Sequence, residues 1–524
     1  MNENERRLSV ILIVFYCINV YHSFDSRHFS IDNLPLWPKE IPLIEMHSGH
    51  LPVDVEENEL LFFWHFASKY SIDQNRTVIW LNGGPGCSSL VGAWMEIGPL
   101  RFQNEETLVA NPGSWHSVAN LLFIDQPIGT GFSYSKKNLH VGNLTQLTNQ
   151  LFQFLRRYVR IFPQLIDNEI YLAGESFAGQ YIPYLSKMLL EQWPDFRLRG
   201  VLLGSAYIDP LNVYQSYLPF AIENKFIEKD SRIFDGLSEL ARNCIKYLSE
   251  RMILFQDDCA SIVDVILRVG AKNDNYEINK NTKCVNMYNT KSVDSYPSCG
   301  KNAFPDMKYM SNYFQRADVL SQLHISNKTI LWTPCSDPVF DQFSQIEFEA
   351  SVHLLPYILE RIPIVLYNGQ HDFVCNYLSI ENMLTNLTWN RQIGFNQSNA
   401  NKQSWIVHGQ IQGYFLSARN LTYILYYDAG HLIPYEFPEK TLFMFEQFLQ
   451  RNFSSISLNQ TSKRFAFFYQ YIELILTTFL LFICVLIWSF ICLCKMKRYQ
   501  HNDENVERTS FINKDNENIQ LSVV

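Results

Sequence analysis

A serine near the middle of the chain stands where a nucleophile could be held. The segment from Ile170 to Gly179 reads IYLAGESFAG, which predicts a buried strand, a sharp turn at Ser176 and then a helix. Such a turn projects a serine hydroxyl beyond the end of a sheet, and small flanking residues let strand and helix approach closely. The generic motif has glycine two residues after the serine, whereas this chain has Ala178 there. An ordinary strand–helix turn with a capping serine is therefore the alternative.

Acid–base partners for that serine follow it at two predicted strand ends. The segment NGQHDFVCN contains Asp372 and the segment DAGHLIP contains His431, and each follows an apolar run. A histidine could accept the Ser176 proton, and an aspartate could orient the imidazole and stabilise its charged form. The chain order Ser, Asp, His is that of α/β-hydrolases. His371 and Asp428 lie beside the two candidates, so the pattern alone leaves the assignment open.

Short apolar runs recur along the chain with helix-like stretches between them. They lie at residues 78–80, 121–124, 170–172, 201–203, 364–367 and 423–427. This alternation predicts an α/β protein with a mostly parallel central sheet covered on both faces. Together with the serine turn and the order Ser, Asp, His, it predicts an α/β-hydrolase fold. The interval 209–333 has no run of this kind and carries four cysteines, so we expect it to form a helical cap inserted over the core.

Apolar segments at the two ends of the chain predict a secretory route and a membrane anchor. Residues 1–23 contain two arginines and then a short apolar run, a pattern typical of a cleaved signal peptide. Residues 474–494 lack charged side chains and are long enough to cross a bilayer as a helix. Aromatic residues just before this run extend the predicted transmembrane segment to 467–494.

The charges beyond the membrane segment set its predicted orientation. Basic residues follow it directly, so residues 495–524 are predicted to be a cytosolic tail. Residues 24–451 then form a lumenal domain, and the Asn- and Ser-rich residues 452–466 form a stalk. Sequons for N-glycosylation occur on the lumenal side, at Asn75, Asn143, Asn327, Asn386, Asn396, Asn420, Asn452 and Asn459.

Composition narrows the classes of partner and cofactor. The formal net charge of −9 argues against nucleic acid as a partner. The sequence contains neither a Gly-rich phosphate loop nor a metal-ligand spacing, so we expect no cofactor and no metal. The pattern leaves the oligomeric state open.

The cysteines suit an oxidising compartment. Of 11 cysteines, one lies in the predicted signal peptide and three lie in the predicted membrane segment, which leaves seven on the lumenal side. Setting aside Cys375 leaves an even number, and these can pair in many ways, so the spacing alone does not give the connectivity. The remaining lumenal cysteines are Cys87, Cys244, Cys259, Cys284, Cys299 and Cys335.

Taken together, the motifs of the lumenal part resemble the serine carboxypeptidase family from about Pro35 to Leu449. They occur in the family's order and spacing: WLNGGPGCSSL at 80–90, EIGP at 96–99, NPGSW at 111–115, DQPIGTGFSY at 125–134 and GESFAG at 174–179. The segments that follow the last two apolar runs complete the series. The resemblance implies that Ser176, Asp372 and His431 are the catalytic triad.

The resemblance also implies roles for residues around the triad. The N–H groups of Gly84 and Phe177 would form the oxyanion hole, and Phe177 stands where the family more often has tyrosine. The substrate's C-terminal carboxylate would be bound by Asn82, Gly83, Glu96 and Glu175. Two adjacent carboxyls cannot both ionise cheaply, so one would stay protonated and donate to the substrate. Peptide hydrolysis is therefore expected to favour acidic pH, and ester or amide hydrolysis should depend on pH less.

The family pattern further suggests how the cysteines are used. It implies a disulfide between Cys87 and Cys335, and we expect the pairs Cys244–Cys259 and Cys284–Cys299 beside it. Cys375 resembles the family's free thiol beside the substrate site, which implies sensitivity to mercurials. An inert buried cysteine is the alternative.

Within the family, the predicted anchor and the segment DSYPSCG at 294–300 resemble the membrane-anchored Kex-type branch. The resemblance implies peptide or propeptide substrates with free C termini, trimming of C-terminal Lys and Arg, and a type I protein of the Golgi or trans-Golgi network membrane. Three features depart from that branch: Gln370 replaces a common acidic residue, Leu432 replaces a common methionine, and the tail is shorter.

Three other functions fit parts of the same pattern. A broad-specificity degradative carboxypeptidase would share every catalytic residue and differ in its pockets and location. A serine-carboxypeptidase-like acyltransferase would use the same triad on an activated ester. A membrane-anchored binding protein would have a dead site, which the complete triad and carboxylate-binding set disfavour.

Overall fold

The apolar runs of the sequence become strands of one large sheet. The computed structural model describes residues 26–54, 56, 58–69, 75–135, 143–250, 257–270, 283–300, 304–325, 330–395 and 401–450. The strands in these ranges are β1 (Met46–Asp54), β2 (Glu59–Phe66), β3 (Arg76–Leu81), β4 (Leu100–Asn104), β5 (Thr107–Ala110), β6 (Asn120–Ile124), β7 (Tyr134–Ser135), β8 (Glu169–Glu175), β9 (Leu198–Gly204), β10 (Lys283–Val285), β11 (Val293–Ser295), β12 (Ile364–Gly369), β13 (Thr388–Trp389), β14 (Gln392–Ile393), β15 (Gln403–Val407), β16 (Gln410–Ala418) and β17 (Leu421–Tyr426).

The main sheet has a parallel centre and antiparallel edges. Its strand order is β1-β2-β6-β3-β8-β9-β12-β17-β16-β15, with β7 paired to β2. The strands from β6 to β17 in this order run parallel, and the outer ones pair antiparallel. Each of the six parallel strands coincides with one of the six apolar runs found in the sequence, the last run extending one residue beyond β17. The prediction of a mostly parallel sheet is therefore confirmed.

From β6 onward, α-helices lie between the consecutive parallel strands β6, β8, β9, β12 and β17 along the chain. The α-helices of the described ranges are α1 (Leu144–Ile161), α2 (Ala178–Gln192), α3 (Pro210–Glu223), α4 (Arg232–Glu250), α5 (Asp257–Val269), α6 (Pro305–Tyr313), α7 (Ala317–Gln322), α8 (Asp337–Ser344), α9 (Leu355–Leu359), α10 (Tyr377–Asn386), α11 (Ile433–Glu436) and α12 (Pro438–Leu449). Short helices of other types are at Ser26–Phe29, Gly92–Glu96, Trp115–Ser117, Pro163–Asp167 and Ser351–Leu354.

Side chains of the parallel strands pack into two apolar cores, one on each face of the sheet. Along β3, Ile79 and Leu81 belong to the first core, whereas Val78 and Trp80 belong to the second. Residues of α1 and α2 pack in the first core, and residues of α12 pack in the second. Because both faces are covered, such strands read in a sequence as nearly continuous apolar runs.

The chain leaves the main sheet after β9 and returns to it at β12. The interval expected to form a helical cap contains α3 to α7 and also a two-stranded hairpin, β10–β11, which the apolar-run pattern did not indicate. Disulfide bonds join Cys244 to Cys259 and Cys284 to Cys299 within this interval. A third disulfide joins Cys87, shortly after β3, to Cys335, just before α8.

The predicted targeting segments lie outside the described residues, as do the sequons at Asn327, Asn396, Asn452 and Asn459. This holds for the signal peptide, the stalk, the transmembrane segment and the tail. None of the helices in the described ranges combines the length and the apolar character needed to cross a membrane. The other sequon asparagines are exposed, at Asn75, Asn143, Asn386 and Asn420.

Removing the Cys87–Cys335 disulfide should destabilise the fold. It joins residues 248 positions apart, so its loss frees a long loop in the unfolded chain. The double variant Cys87→Ser/Cys335→Ser should lose roughly 2–5 kcal/mol of unfolding free energy in denaturant titrations. Cys244→Ser/Cys259→Ser, which opens a loop of 15 positions, should lose less. Equal stability of the wild-type protein and the first variant would contradict this expectation.

Candidate active site

The backbone at Ser176 is folded into a sharp, strained turn. Ser176 follows the last residue of β8, has φ +57°, and is followed within two residues by α2. Its N–H donates to Gly204 O (3.0 Å), and its carbonyl accepts from the Tyr207 N–H (2.8 Å). Residues other than glycine rarely adopt a positive φ, because this backbone conformation is strained. The two hydrogen bonds hold Ser176 in this conformation, which is the geometry of a nucleophile elbow.

Asp372 and His431 form a buried hydrogen-bonded pair. His431 Nδ1 lies 2.8 Å from Asp372 Oδ2, and both side chains are almost fully buried. Asp372 follows the end of β12 and His431 follows the end of β17, and these strands are parallel neighbours. A carboxylate on Nδ1 fixes the imidazole tautomer and leaves Nε2 to accept a proton.

The other aspartate and histidine of these segments lie apart from this pair. Asp428 is exposed and forms an ion pair with Lys291 of the cap interval. His371 Nε2 lies 3.9 Å from the same carboxylate, Asp428 Oδ1. The structure therefore places His431 with Asp372, and it groups His371 with Asp428 in a separate cluster at the surface.

The buried thiol of Cys375 connects the serine to the aspartate. The Cys375 N–H donates to Asp372 Oδ1 (3.1 Å), and the thiol interacts with the Ser176 side chain. Burial, together with the charge of Asp372, raises the pKa of this thiol well above its usual range. Among the described residues, Ser176 Oγ forms no hydrogen bond with His431; such bonds are often long in unliganded sites and shorten when substrate binds.

Two backbone N–H groups beside Ser176 are free to bind an anion. Within the described residues, the N–H groups of Gly84 and Phe177 donate to no protein acceptor. Gly84 has φ +108°, which favours glycine. At Gly83 a Cβ would lie 2.8 Å from Glu175 O and 2.9 Å from the Ser176 Cβ, so only glycine allows this close approach.

Glu96 and Glu175 meet beneath the amide of Asn82. Asn82 Nδ2 donates to Glu175 Oε1 (3.0 Å) and to Glu96 Oε1 (3.4 Å), and both glutamates are buried. The amide is itself oriented by Trp80 Nε1 (2.8 Å) and the Gly92 N–H (3.0 Å), which both donate to Asn82 Oδ1. The second oxygen, Oε2, of each glutamate receives no hydrogen bond from a donor group of the described residues.

Burial controls the protonation of this carboxyl pair. It raises the pKa of Glu96, and it raises the pKa of Glu175 further because the negative charges of Glu96 and Asp372 add to the effect. The two carboxyls interact with each other, and because two buried like charges are costly, we expect one of them to carry a proton. A protonated carboxyl is a hydrogen-bond donor, so the pair can donate to the carboxylate of a ligand.

Sequence reasoning did not identify two charged residues of this region. Arg101 donates to the carbonyl oxygens of Glu96, Pro434 and Tyr435. Glu436 accepts from the Gly430 N–H (3.1 Å to each oxygen), next to His431. Both residues act largely through backbone groups, which leave no side-chain signature in a sequence.

In the described part of the chain, no three or more His, Cys, Asp and Glu side chains are grouped so that they could hold a metal ion.

Comparisons with known proteins agree with this geometry. The family model "Serine carboxypeptidase" matches residues 37–451. A pheromone-processing carboxypeptidase KEX1 from Tuber melanosporum is 41% identical over 443 residues, which cover 82% of this chain and 70% of the relative. The protein of the same name from Pyricularia oryzae is 39% identical over 434 residues, covering 81% and 68%.

A solved structure extends the likeness to three dimensions. The crystal structure of KEX1(delta)p, a prohormone-processing carboxypeptidase from Saccharomyces cerevisiae, superimposes with a TM-score of 0.74 at 32% identity. The match covers 82% of this chain and 96% of that one. The chain therefore belongs to the serine carboxypeptidase family, which are hydrolases that act as exopeptidases.

Proposed function

We propose that this chain is a processing carboxypeptidase that releases C-terminal residues, preferentially Lys and Arg, from peptides in the late secretory pathway. The observation that carries the proposal is the buried Glu96–Glu175 pair, which adjoins the turn of Ser176. A site that binds a free carboxylate next to a nucleophile selects the last peptide bond of a chain. Relatives named for pheromone and prohormone processing support the substrate class.

The proposed chemistry is an acyl transfer in two halves. Ser176 Oγ attacks the last peptide carbonyl while His431 Nε2 accepts its proton, and Asp372 stabilises the imidazolium through Nδ1. The N–H groups of Gly84 and Phe177 bind the developing oxyanion. His431 then returns the proton to the leaving amine, and the terminal amino acid departs. Water, activated by His431, hydrolyses the acyl-enzyme and restores Ser176.

The carboxylate-binding set gives this chemistry its exopeptidase character. The protonated member of the Glu96–Glu175 pair would donate to the substrate carboxylate, and Asn82 and the Gly83 N–H would donate beside it. When an internal peptide bond lies at Ser176, the substrate has an uncharged amide where a chain end has its carboxylate. The donors of the carboxylate-binding set then have no negatively charged group to bind. Binding energy at the carboxylate thus positions the terminal bond at Ser176.

The predicted segments outside the described residues give the proposed location. A signal peptide, a single transmembrane segment and basic residues after it would make a type I protein of the Golgi or trans-Golgi network membrane, with the catalytic domain in the lumen. The lumenal sequons and the disulfide bonds are consistent with an oxidising compartment.

A matched peptide set tests the proposed preference. Release of the last residue by the full-length protein should be faster for peptides ending in Lys or Arg than for those ending in Leu or Phe, by about tenfold or more in kcat/KM. The measurement is chromatography of released amino acids near pH 5.

The Ser176→Ala protein serves as the blank in the same assay. It should lose activity by roughly a millionfold while its circular dichroism matches the wild-type protein. Faster release of Leu and Phe would favour a broad degradative carboxypeptidase instead. Release by the wild-type protein that does not exceed the blank would contradict the carboxypeptidase proposal.

The pH dependence tests the role of the carboxyl pair. Because the folded-state pKa of the pair is raised, its proton is present at acidic pH and is lost as pH rises through that pKa. Above it, kcat/KM for a peptide should fall about tenfold per pH unit, while kcat/KM for an ester that lacks a free carboxylate should not.

A glutamine at position 175 provides the matched control for this profile. The amide of Glu175→Gln resembles a protonated carboxyl and cannot ionise, so the decline in peptide hydrolysis at higher pH should flatten. An unchanged decline in this variant would assign the titration to another group.

A further inference from the structure

The segment that carries His431 is held in place by contacts from three directions. We define the histidine segment as residues 430–436. Glu436 closes it on itself by accepting from the Gly430 N–H. The loop between β10 and β11 holds it from a second side, since the His431 N–H donates to Tyr288 O (2.7 Å) and Asn289 Nδ2 donates to Glu436 Oε2 (3.1 Å).

Arg101 supplies the third contact and extends it to the carboxylate-binding site. From β4, its Nη2 donates to Pro434 O (2.6 Å) and to Glu96 O (3.0 Å), and its Nη1 donates to Tyr435 O (3.0 Å). One guanidinium therefore joins the backbone of a carboxylate-binding residue to the backbone three and four residues after the catalytic histidine. Its planar fork spreads the donors over two nitrogens in a fixed geometry, whereas the three donors of a lysine lie on a single nitrogen.

The charge of Arg101 also acts on the carboxyl pair. It opposes the rise that burial causes in the pKa of Glu96, and His431 acts in the same direction. The pKa of Glu175 is raised chiefly by burial and by the negative charges of Glu96 and Asp372. On its other side, Arg101 is near Tyr435 and Asp306, which hydrogen-bond each other (2.8 Å).

We propose that Arg101 is a positioning residue that couples substrate-carboxylate recognition to placement of the catalytic histidine. Its contacts hold the histidine segment against the segment of Glu96, and its charge favours ionised Glu96, so that the shared proton belongs to Glu175. This inference rests on the roles proposed above for Glu96, Glu175 and His431. Arg101 itself would touch neither the substrate nor the reacting atoms.

Two substitutions in the full-length protein separate the contacts from the charge. Arg101→Lys keeps the charge but replaces the two-nitrogen fork by a single nitrogen, which cannot reproduce all three contacts in their geometry, so kcat should fall roughly tenfold to a hundredfold for peptide and ester alike. The pH at which peptide hydrolysis declines should stay unchanged in this variant. Arg101→Gln should show the same loss in kcat and, in addition, move that decline upward by about one pH unit, because the ionised pair loses its nearby cation.

Arg419 offers a matched control away from the site. Its guanidinium also serves three carbonyls, those of Trp389, Gln392 and Gly394. Arg419→Gln should leave both kcat and the pH profile of the wild-type protein unchanged. A loss of kcat equal to that of the Arg101 variants would show a general structural effect and would overturn the proposal.

The outcomes also distinguish this inference from the proposed function. One outcome is that the wild-type protein hydrolyses peptides with the expected decline at higher pH while Arg101→Gln declines at the same pH. That result would overturn the role of the Arg101 charge but would not affect the proposed role of the carboxyl pair. If Arg101→Lys has the same kcat as the wild-type protein, the positioning role is overturned. This test does not depend on whether the Arg101→Gln protein folds. Failure of the wild-type protein to release C-terminal residues would instead contradict the proposed function.

Discussion

Two carboxyl groups confined in one buried space are the constraint on which the rest of the site depends. Moving an ion out of water costs several kcal/mol, and two like charges in contact cost more. A proton shared between Glu96 and Glu175 would avoid this cost, and Asn82 donates to both carboxyls. The protonated carboxyl then becomes a donor, which is what a negatively charged chain end requires.

The register of the central sheet brings this pair to the nucleophile. Leu81 of β3 is the partner of Gly174 of β8, so Asn82 and Glu175 follow side by side where the two parallel strands end. One residue further along, Gly83 lies against Ser176 and leaves no room for a side chain. The proposed carboxylate-binding set and the proposed nucleophile are thus brought together by one strand pairing, and the histidine segment is added from the other half of the sheet.

The fold was more predictable from the sequence than the contacts of the site. Parallel strands buried on both faces leave apolar runs, and all six were recognisable. The short hairpins β4–β5, β10–β11 and β13–β14 have only a few residues each and leave no comparable pattern. The local segments could not separate His431 from His371, because both follow a strand end; the choice depends on contacts between distant parts of the chain, such as Asp428 with Lys291. Arg101 escaped notice because its partners are carbonyl oxygens, which every residue carries.

Proton uptake on substrate binding tests the shared proton most directly. Calorimetry in buffers of different ionisation heat can count the protons taken up when Ser176→Ala protein binds a peptide that it cannot cleave. For a peptide with a free carboxylate, uptake should rise toward about one proton as pH passes above the pKa of the pair, since binding favours the protonated form. The same peptide with a C-terminal amide should take up none. Equal uptake for the two peptides, or none at any pH, would contradict the account of a proton shared between Glu96 and Glu175.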